Sequence, residues 1–175
     1  LLAIHLSWLV TQQGGKWILS VTLPPGNWAE WEIEPTLTLQ PGAADGKDCG
    51  MIWWVGDGNG GIGAAMPAGT AASHGTPTTS LVAFDLSTIP AGATVTTATL
   101  SLYDIDDSSK TVNNWQCNLY RVLNSWVEGT KLFEVEVGSP CWNYRVYNTV
   151  AWNTVGCRGS GTDHSATLMA SALIP

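Results

Sequence analysis

Short runs in which apolar and polar residues alternate predict β-strands along most of the chain. The clearest run is Thr94–Tyr103, where Ala98, Leu100 and Leu102 face one way and threonines and a serine face the other. Because one face of such a strand is usually buried, we expect these three residues to lie in the core. No stretch shows the 3.6-residue periodicity of a long amphipathic helix.

Turn residues divide the rest of the chain into further predicted strands. These strands are Lys16–Leu23, Ile33–Gln40, Met51–Val55, Leu81–Leu86, Trp115–Val122 and Ser165–Ile174. Two long segments, 56–80 and 138–164, are predicted loops. About eight antiparallel strands with long crossing loops predict an all-β fold, a jelly-roll β-sandwich whose core includes Phe84 and Trp126.

Composition and charge exclude several classes of partner. The 175-residue chain has a net charge of −7, only 12% charged residues and no basic patch, which argues against nucleic acid binding. The longest apolar piece, at residues 1–10, is too short to span a bilayer. We therefore expect neither nucleic acid nor membrane insertion.

The four cysteines, Cys49, Cys117, Cys141 and Cys157, form no CxxC pair. An even number in a chain with this composition favours disulfides and an oxidising, extracellular compartment. Four cysteines allow three connectivities, of which we favour Cys141–Cys157 with Cys49–Cys117. Free buried cysteines are the alternative.

Candidate catalytic and cofactor motifs are weak. The GxGxxG match at residues 58–63 is followed by Pro and Gly instead of a helix, so a flexible glycine loop is the better interpretation. No histidine has metal-ligand spacing and no serine sits in a nucleophile elbow. Asp163 and His164 are expected to form a polar turn before the last strand. We expect no enzyme activity and no cofactor.

Calcium is the one ion that the sequence leaves open. Asp45, Asp48 and Asp57 lie in glycine-rich turns, where carboxylates can bind Ca²⁺. The spacing is not that of an EF-hand, so solvated turn carboxylates are the default interpretation.

Aromatic residues suggest a second kind of surface. The chain has ten tryptophans, and Trp142, Tyr144, Tyr147 and Trp152 cluster in one predicted loop. Such rings could stack on a glycan, and a polysaccharide is thus a possible partner. The alternative is that they fill the core or a contact between subunits.

Several motifs in order resemble a known family. They are LQPGAADGKD, FDLSTIPAGATVTTATLSLY, LYRVLNSWVEGT, WNYR and VAWNTVG, within residues 36–169. Together they resemble the DNRLRE domain, which is related to the family 96 carbohydrate-binding modules. The resemblance implies that the WVEG segment is structural, with Trp126 in the core and Glu128 bonded to backbone or to an arginine.

The chain departs from that family in the position of its closing strands. Ser7–Val10, Lys16–Leu23 and Pro35–Leu39 resemble the family's closing segments, yet they come first. We therefore divide the chain into N-terminal strands at 1–35, which complete a neighbouring subunit or repeat, and a DNRLRE-like domain at 36–175. Residues 1–23 are expected to contribute little to their own sandwich. The expected assembly residues are Leu2, Ile4, Leu6, Trp8, Val10, Trp17 and Leu19.

This arrangement predicts a structural subunit of an extracellular helical fibre. Copies of the chain would polymerise head to tail, each inserting N-terminal strands into the next. The alternative is a carbohydrate-binding module of a secreted enzyme or adhesin. A hydrolase is a distant third.

Overall fold

The computed structural model describes residues 5–7, 18–22, 36–39, 46–64, 66–67, 69–70, 77–95, 97–102 and 115–174. These residues contain thirteen β-strands and no helix. Every pairing between the strands is antiparallel. The all-β class predicted from the alternating runs is confirmed.

The strands, in chain order, vary from two to eleven residues. They are β1 His5–Ser7, β2 Ile18–Thr22, β3 Thr36–Leu39, β4 Gly46–Met51, β5 Gly58–Asn59, β6 Gly69–Thr70, β7 Pro77–Phe84, β8 Thr97–Ser101, β9 Trp115–Val122, β10 Glu134–Val135, β11 Tyr144–Val146, β12 Val150–Ala151 and β13 His164–Ile174.

Two sheets make up most of the described structure. The larger has the order β13-β9-β1-β7-β4, with β6 also paired to β7. The smaller has the order β3-β2-β8, and two further pairs, β10-β5 and β11-β12, stand apart. In both main sheets the strand order differs from the chain order, so the sheets are built by pairings between distant segments.

Strand β7 separates two hydrophobic clusters because its side chains alternate between two faces. Val82 and Phe84 pack with Met66 in the first cluster. Leu39 of β3 and Leu100 of β8 pack against that cluster, so the smaller sheet shares this core with the larger one.

The second cluster lies on the opposite face of β7, around Leu81 and Ala83. Three tryptophans contributed by the segment after β9 fill it, namely Trp126, Trp142 and Trp152. The long predicted loop at 138–164 is therefore packed onto the sheet, and it contains the short strands β11 and β12.

The predicted inward face of residues 94–103 is only partly correct. Leu100 and Leu102 pack with Phe84, as expected. Ala98 is exposed, and Trp126 belongs to the second cluster. The prediction placed Phe84 and Trp126 together, whereas they contact opposite faces of the same sheet.

The predicted strand Met51–Val55 is also wrong. Strand β4 ends at Met51, and the following residues form a turn in which the Val55 and Gly56 amides donate to the Ile52 carbonyl, each at 3.2 Å. The apolar residues after Met51, which suggested a strand, form a turn between two buried segments.

Candidate functional site

The first candidate site is the position of β1 in the larger sheet. Strand β1 lies between β7 and β9, with Leu6 in register with Val82 on one side and Arg121 on the other. On the β7 side the register continues with His5 opposite Ala83. Without β1, strands β7 and β9 would present two unpaired edges to each other.

Strand β2 occupies the same kind of position in the smaller sheet. It pairs with β3 on one side, where Leu19 is opposite Leu39, and with β8 on the other, where Leu19 is opposite Leu100. The segment 1–35 thus supplies a central strand to each of the two main sheets.

The structure differs here from the expectation that residues 1–23 contribute little to their own sandwich. Their described strands pair with strands of the same chain. The division at residue 35 is likewise crossed by the β2–β3 pairing. Of the expected assembly residues, Leu6 and Leu19 lie in these strands. The others, Leu2, Ile4, Trp8, Val10 and Trp17, lie outside the described residues.

The second candidate site, the aromatic segment from Trp142 to Trp152, is largely a core. Both tryptophans are only 5% exposed, and the Trp152 Nε1 donates to the Cys141 carbonyl at 2.9 Å. Tyr144 and Tyr147 remain half-buried, in an edge-to-face pair with centroids 5.5 Å apart. Two of the four rings predicted as a glycan platform are therefore enclosed and cannot stack on a sugar.

Backbone contacts explain why Trp142 is enclosed. Its amide donates to the Gly56 carbonyl at 2.9 Å, and its own carbonyl accepts from the Gly156 amide at 2.7 Å. Gly156 has φ of +75°, and a Cβ at this position would overlap the indole ring of Trp142. A glycine is needed there for both reasons.

Asn59 is the main polar contact that sequence reasoning missed. This fully buried side chain donates through Nδ2 to the carbonyls of Glu128 and Pro140, each at 2.9 Å. Its Oδ1 accepts from the Gly61 amide at 2.9 Å. The Gly-Asn-Gly-Gly run is therefore a packed junction between distant loops, not a flexible glycine loop.

The acidic residues near this junction hold the loops to strand β4. Glu128 Oε1 accepts a 2.9 Å hydrogen bond from the Asp48 amide, as the structural interpretation of the WVEG segment predicted. Lys47 donates to the Trp126 carbonyl and lies 4.4 Å from the centroid of that ring. Burial, together with the nearby Glu128 charge, raises the pKa of Asp48 to about 6.

Asp163 organises the loop before β13. Its carboxylate accepts from the amides of Asn153, Thr154 and Gly159, each at 2.9 Å, and from the Asn153 side chain at 3.1 Å. Burial alone would raise the pKa of Asp163, but these hydrogen bonds together lower it. Of the two residues predicted to form a polar turn before the last strand, Asp163 lies in the turn, whereas His164 is already the first residue of β13.

The predicted disulfides are absent from the described structure. Cys49, Cys141 and Cys157 are buried thiols, and burial raises the pKa of each, that of Cys49 to about 12. Cys49 packs in the cluster around Leu81, whereas Cys117 is two residues from Leu119, which packs in the cluster around Phe84. Opposite faces of one sheet thus separate the predicted Cys49–Cys117 pair.

The predicted Cys141–Cys157 bond is likewise absent, and the two thiols have different neighbours. The Cys141 sulfur lies 4.0 Å from Asp57 Oδ1, while the Cys157 sulfur lies 3.9 Å from the Asp163 carbonyl. Burial raises the pKa of both thiols, which keeps them in the less reactive protonated form.

No group of three or more metal-ligating side chains occurs among the described residues. Asp57, one of the three calcium candidates, accepts a 2.8 Å hydrogen bond from the Asn143 side chain. Asp48 is half-buried beside Glu128, and Asp45 lies outside the described residues.

Comparison with known proteins gives no relative. The chain matches no family model, no curated protein and no solved structure. The resemblance to the DNRLRE domain therefore stays a prediction. Within the part of the chain that the structure describes, no helix has the length and apolar character needed to cross a membrane.

Proposed function

We propose that this chain is a non-catalytic structural subunit of an extracellular fibre, in which copies exchange their N-terminal strands head to tail. The observation that carries the proposal is the central position of β1 and β2 in their sheets. A central strand is bordered by two partners, so its place can be filled equally well by the same strand of another copy.

Exchange conserves the pairings seen within one chain. Strand β1 of a neighbour would meet the same partners, with Leu6 between Val82 and Arg121. The difference in free energy between the closed form and the exchanged form then depends mainly on two things. They are the segment that connects these strands to the rest of the chain and the protein concentration. If each copy gives its strands to one neighbour and accepts strands from another, the contact is head-to-tail, and it extends as a filament when the rotation between copies does not close a ring.

Chain length allows the exchange. Residues 23–35 connect β2 to β3 and contain three prolines. Fully extended, this segment could reach up to about 45 Å, which is on the scale of a small domain. It is therefore long enough for the strands before it to enter a neighbouring copy.

The non-catalytic part of the proposal rests on the acids and aromatic rings. The carboxylates of Glu128 and Asp163 accept hydrogen bonds from backbone amides of the protein itself. The carbohydrate-binding alternative has weaker support because Trp142 and Trp152 are enclosed. The cysteines form no disulfide among the described residues, so they do not support an extracellular location. That part of the proposal is supported by the acidic composition and by the resemblance.

The test is to follow assembly of the full chain with concentration. Sedimentation velocity and negative-stain microscopy should show an open-ended series of species that lengthens as concentration rises. Inserting a Gly-Ser stretch within 23–35 should shift the series toward monomer, because a longer hinge favours pairing within one chain over exchange between chains.

The matched control is the same insertion in the exposed turn at 87–88, which should leave the series unchanged. A monomer at every concentration, in the parent chain and in both variants, would refute the proposal.

A further inference from the structure

Two of the four buried cysteines, Cys49 and Cys141, belong to segments that meet at the junction around Asn59. The Cys49 sulfur lies 3.8 Å from the carbonyl oxygen of Pro140, the residue directly before Cys141. Across a trans peptide bond the next Cα lies about 3 Å from that oxygen, so the Cys141 Cα is within about 7 Å of the Cys49 sulfur. The backbone that carries Cys141 is thus already beside the Cys49 thiol.

Asn59 fixes this approach. Its Nδ2 donates to the Cys49 sulfur at 3.3 Å and to the Pro140 carbonyl at 2.9 Å, so one buried amide group binds both segments. Burial is the main cause that raises the pKa of the Cys49 thiol, and the charge of a Cys141 thiolate raises it further. Such an interaction is expected for two sulfurs that lie close together.

The other two cysteines have different surroundings. The Cys157 sulfur lies 3.9 Å from the Asp163 carbonyl, in the loop before β13. Cys117 lies in β9, two residues from Leu119, which packs in the first cluster, whereas Cys49 packs in the second. A bond between Cys49 and Cys141 is therefore the pairing that the described contacts favour.

We propose that Cys49 and Cys141 form a redox pair, which a small-molecule disulfide such as oxidised glutathione converts into an intramolecular disulfide. One protein thiolate attacks the reagent and forms a mixed disulfide, which releases one reagent thiol. The second protein thiolate then attacks the protein sulfur of the mixed disulfide, closes the Cys49–Cys141 bond and releases the second reagent thiol. The protein thiols lose two electrons and two protons, and the two reagent thiols gain them.

Burial determines when this reaction takes place. Both thiols are 0% exposed, and burial raises the pKa of each, so the folded chain keeps them protonated and out of contact with the reagent. The bond is therefore expected to form during folding or when the junction opens locally. Once formed, it ties the edge strand β4 covalently to the loop that carries Trp142. This goes beyond the proposed function and holds for a monomeric or a polymeric chain.

The test is to refold the full parent chain in a mixture of reduced and oxidised glutathione. Differential alkylation and peptide mass spectrometry then identify the bonded cysteines. The expected product has Cys49 joined to Cys141, with Cys117 and Cys157 alkylated as free thiols. Four free thiols after refolding, or a bond to Cys117 or Cys157 in equal or greater yield, would overturn the proposal.

Two substitutions provide a matched comparison. Cys141→Ser removes one partner, whereas Cys157→Ser removes a buried thiol of the second cluster that the proposed bond does not use. In the parent and in Cys157→Ser, oxidation should raise the Tm by at least about 5 °C, because the bond constrains the unfolded chain. In Cys141→Ser the oxidised and reduced samples should melt together.

A shift in Tm that survives Cys141→Ser, or one that is lost in Cys157→Ser, would overturn the proposal. If either variant fails to fold, the peptide map of the refolded parent chain decides by itself, since it needs no substitution.

Discussion

Gly129 lies so close to Asn59 that a Cβ at Gly129 would overlap the Asn59 amide. Gly129 also has φ of +86°, a backbone conformation that residues other than glycine rarely adopt. These two residues join the WVEG loop to the buried Asn59 junction, and they make the junction testable by one substitution and a matched control.

Gly129→Ala should lower the free energy of unfolding more than Gly138→Ala does. Both positions have positive φ, which costs about 1–3 kcal/mol for alanine. Only Gly129 has a neighbour in the way, since nothing lies within 4 Å of a Cβ at Gly138. Urea denaturation of the two variants measures the difference. Equal losses would mean that Asn59 can move aside without cost.

Asp48→Asn should stabilise the protein at neutral pH. The pKa of Asp48 is raised to about 6 from its ordinary value of 3.8, so the folded state favours the protonated acid. Its contribution is fully present below pH 3.8 and is lost as pH rises through 6. The largest effect of the charge is on the order of 3 kcal/mol.

The measurement is the free energy of unfolding of parent and Asp48→Asn chains between pH 4 and pH 8. The two curves should converge toward the acidic end, separate between pH 4 and about pH 6, and run at a constant distance above that. A constant difference across the range would show that the Asp48 carboxylate is not destabilised by burial.

Asp163→Asn should have the opposite sign. The lowered pKa of Asp163 means that its stabilising contribution is present above 3.8 and is lost as pH falls below that value. An amide cannot accept from all the donors around it, so we expect a loss on the order of 3 kcal/mol at pH 7. Thermal unfolding at pH 7 and pH 3 should show a larger gap between parent and variant at pH 7 than at pH 3, because the contribution declines as pH falls below 3.8. An equal gap at both values would contradict this role.

Trp142→Ala should destabilise the fold, because the ring is enclosed in the second cluster. Removing a buried tryptophan costs about 3–5 kcal/mol. Trp54→Ala is the control, since that ring is 51% exposed, and it should cost much less. If the Trp142→Ala chain kept the stability of the parent but was no longer retained on polysaccharide, that result would instead support the prediction that these aromatic rings bind a glycan.

Local features of the fold were predictable from the sequence, and long-range ones were not. Strand β9 has the predicted bounds because its alternation is local. Trp126 was correctly placed in the core, but its cluster was not, since the face it contacts depends on β7, some forty residues away. Burial of Trp142 and Trp152 likewise depends on distant backbone, including Gly56.

The Asn59 junction gave no usable signal. A single asparagine among glycines is typical of a loop, and only its partners Glu128 and Pro140 show that it is a buried anchor. The positions of β1 and β2 within their sheets were likewise not predictable, because a short apolar run does not indicate which two strands will border it.

Strand exchange requires that β1 of one chain can fill the position between β7 and β9 of another, and this can be measured directly. His5 and Ala83 are opposite each other in the β1–β7 register, so cysteines at these positions are close enough to form a disulfide. Chains carrying only His5→Cys are mixed with chains carrying only Ala83→Cys, allowed to assemble, and then oxidised.

Mass spectrometry of the peptides then reports which chains are joined. Strand exchange predicts a His5→Cys peptide linked to an Ala83→Cys peptide in the mixture, and no such link when Thr99→Cys replaces Ala83→Cys. A link that forms only within single chains carrying both substitutions, with the mixture unlinked, would contradict strand exchange.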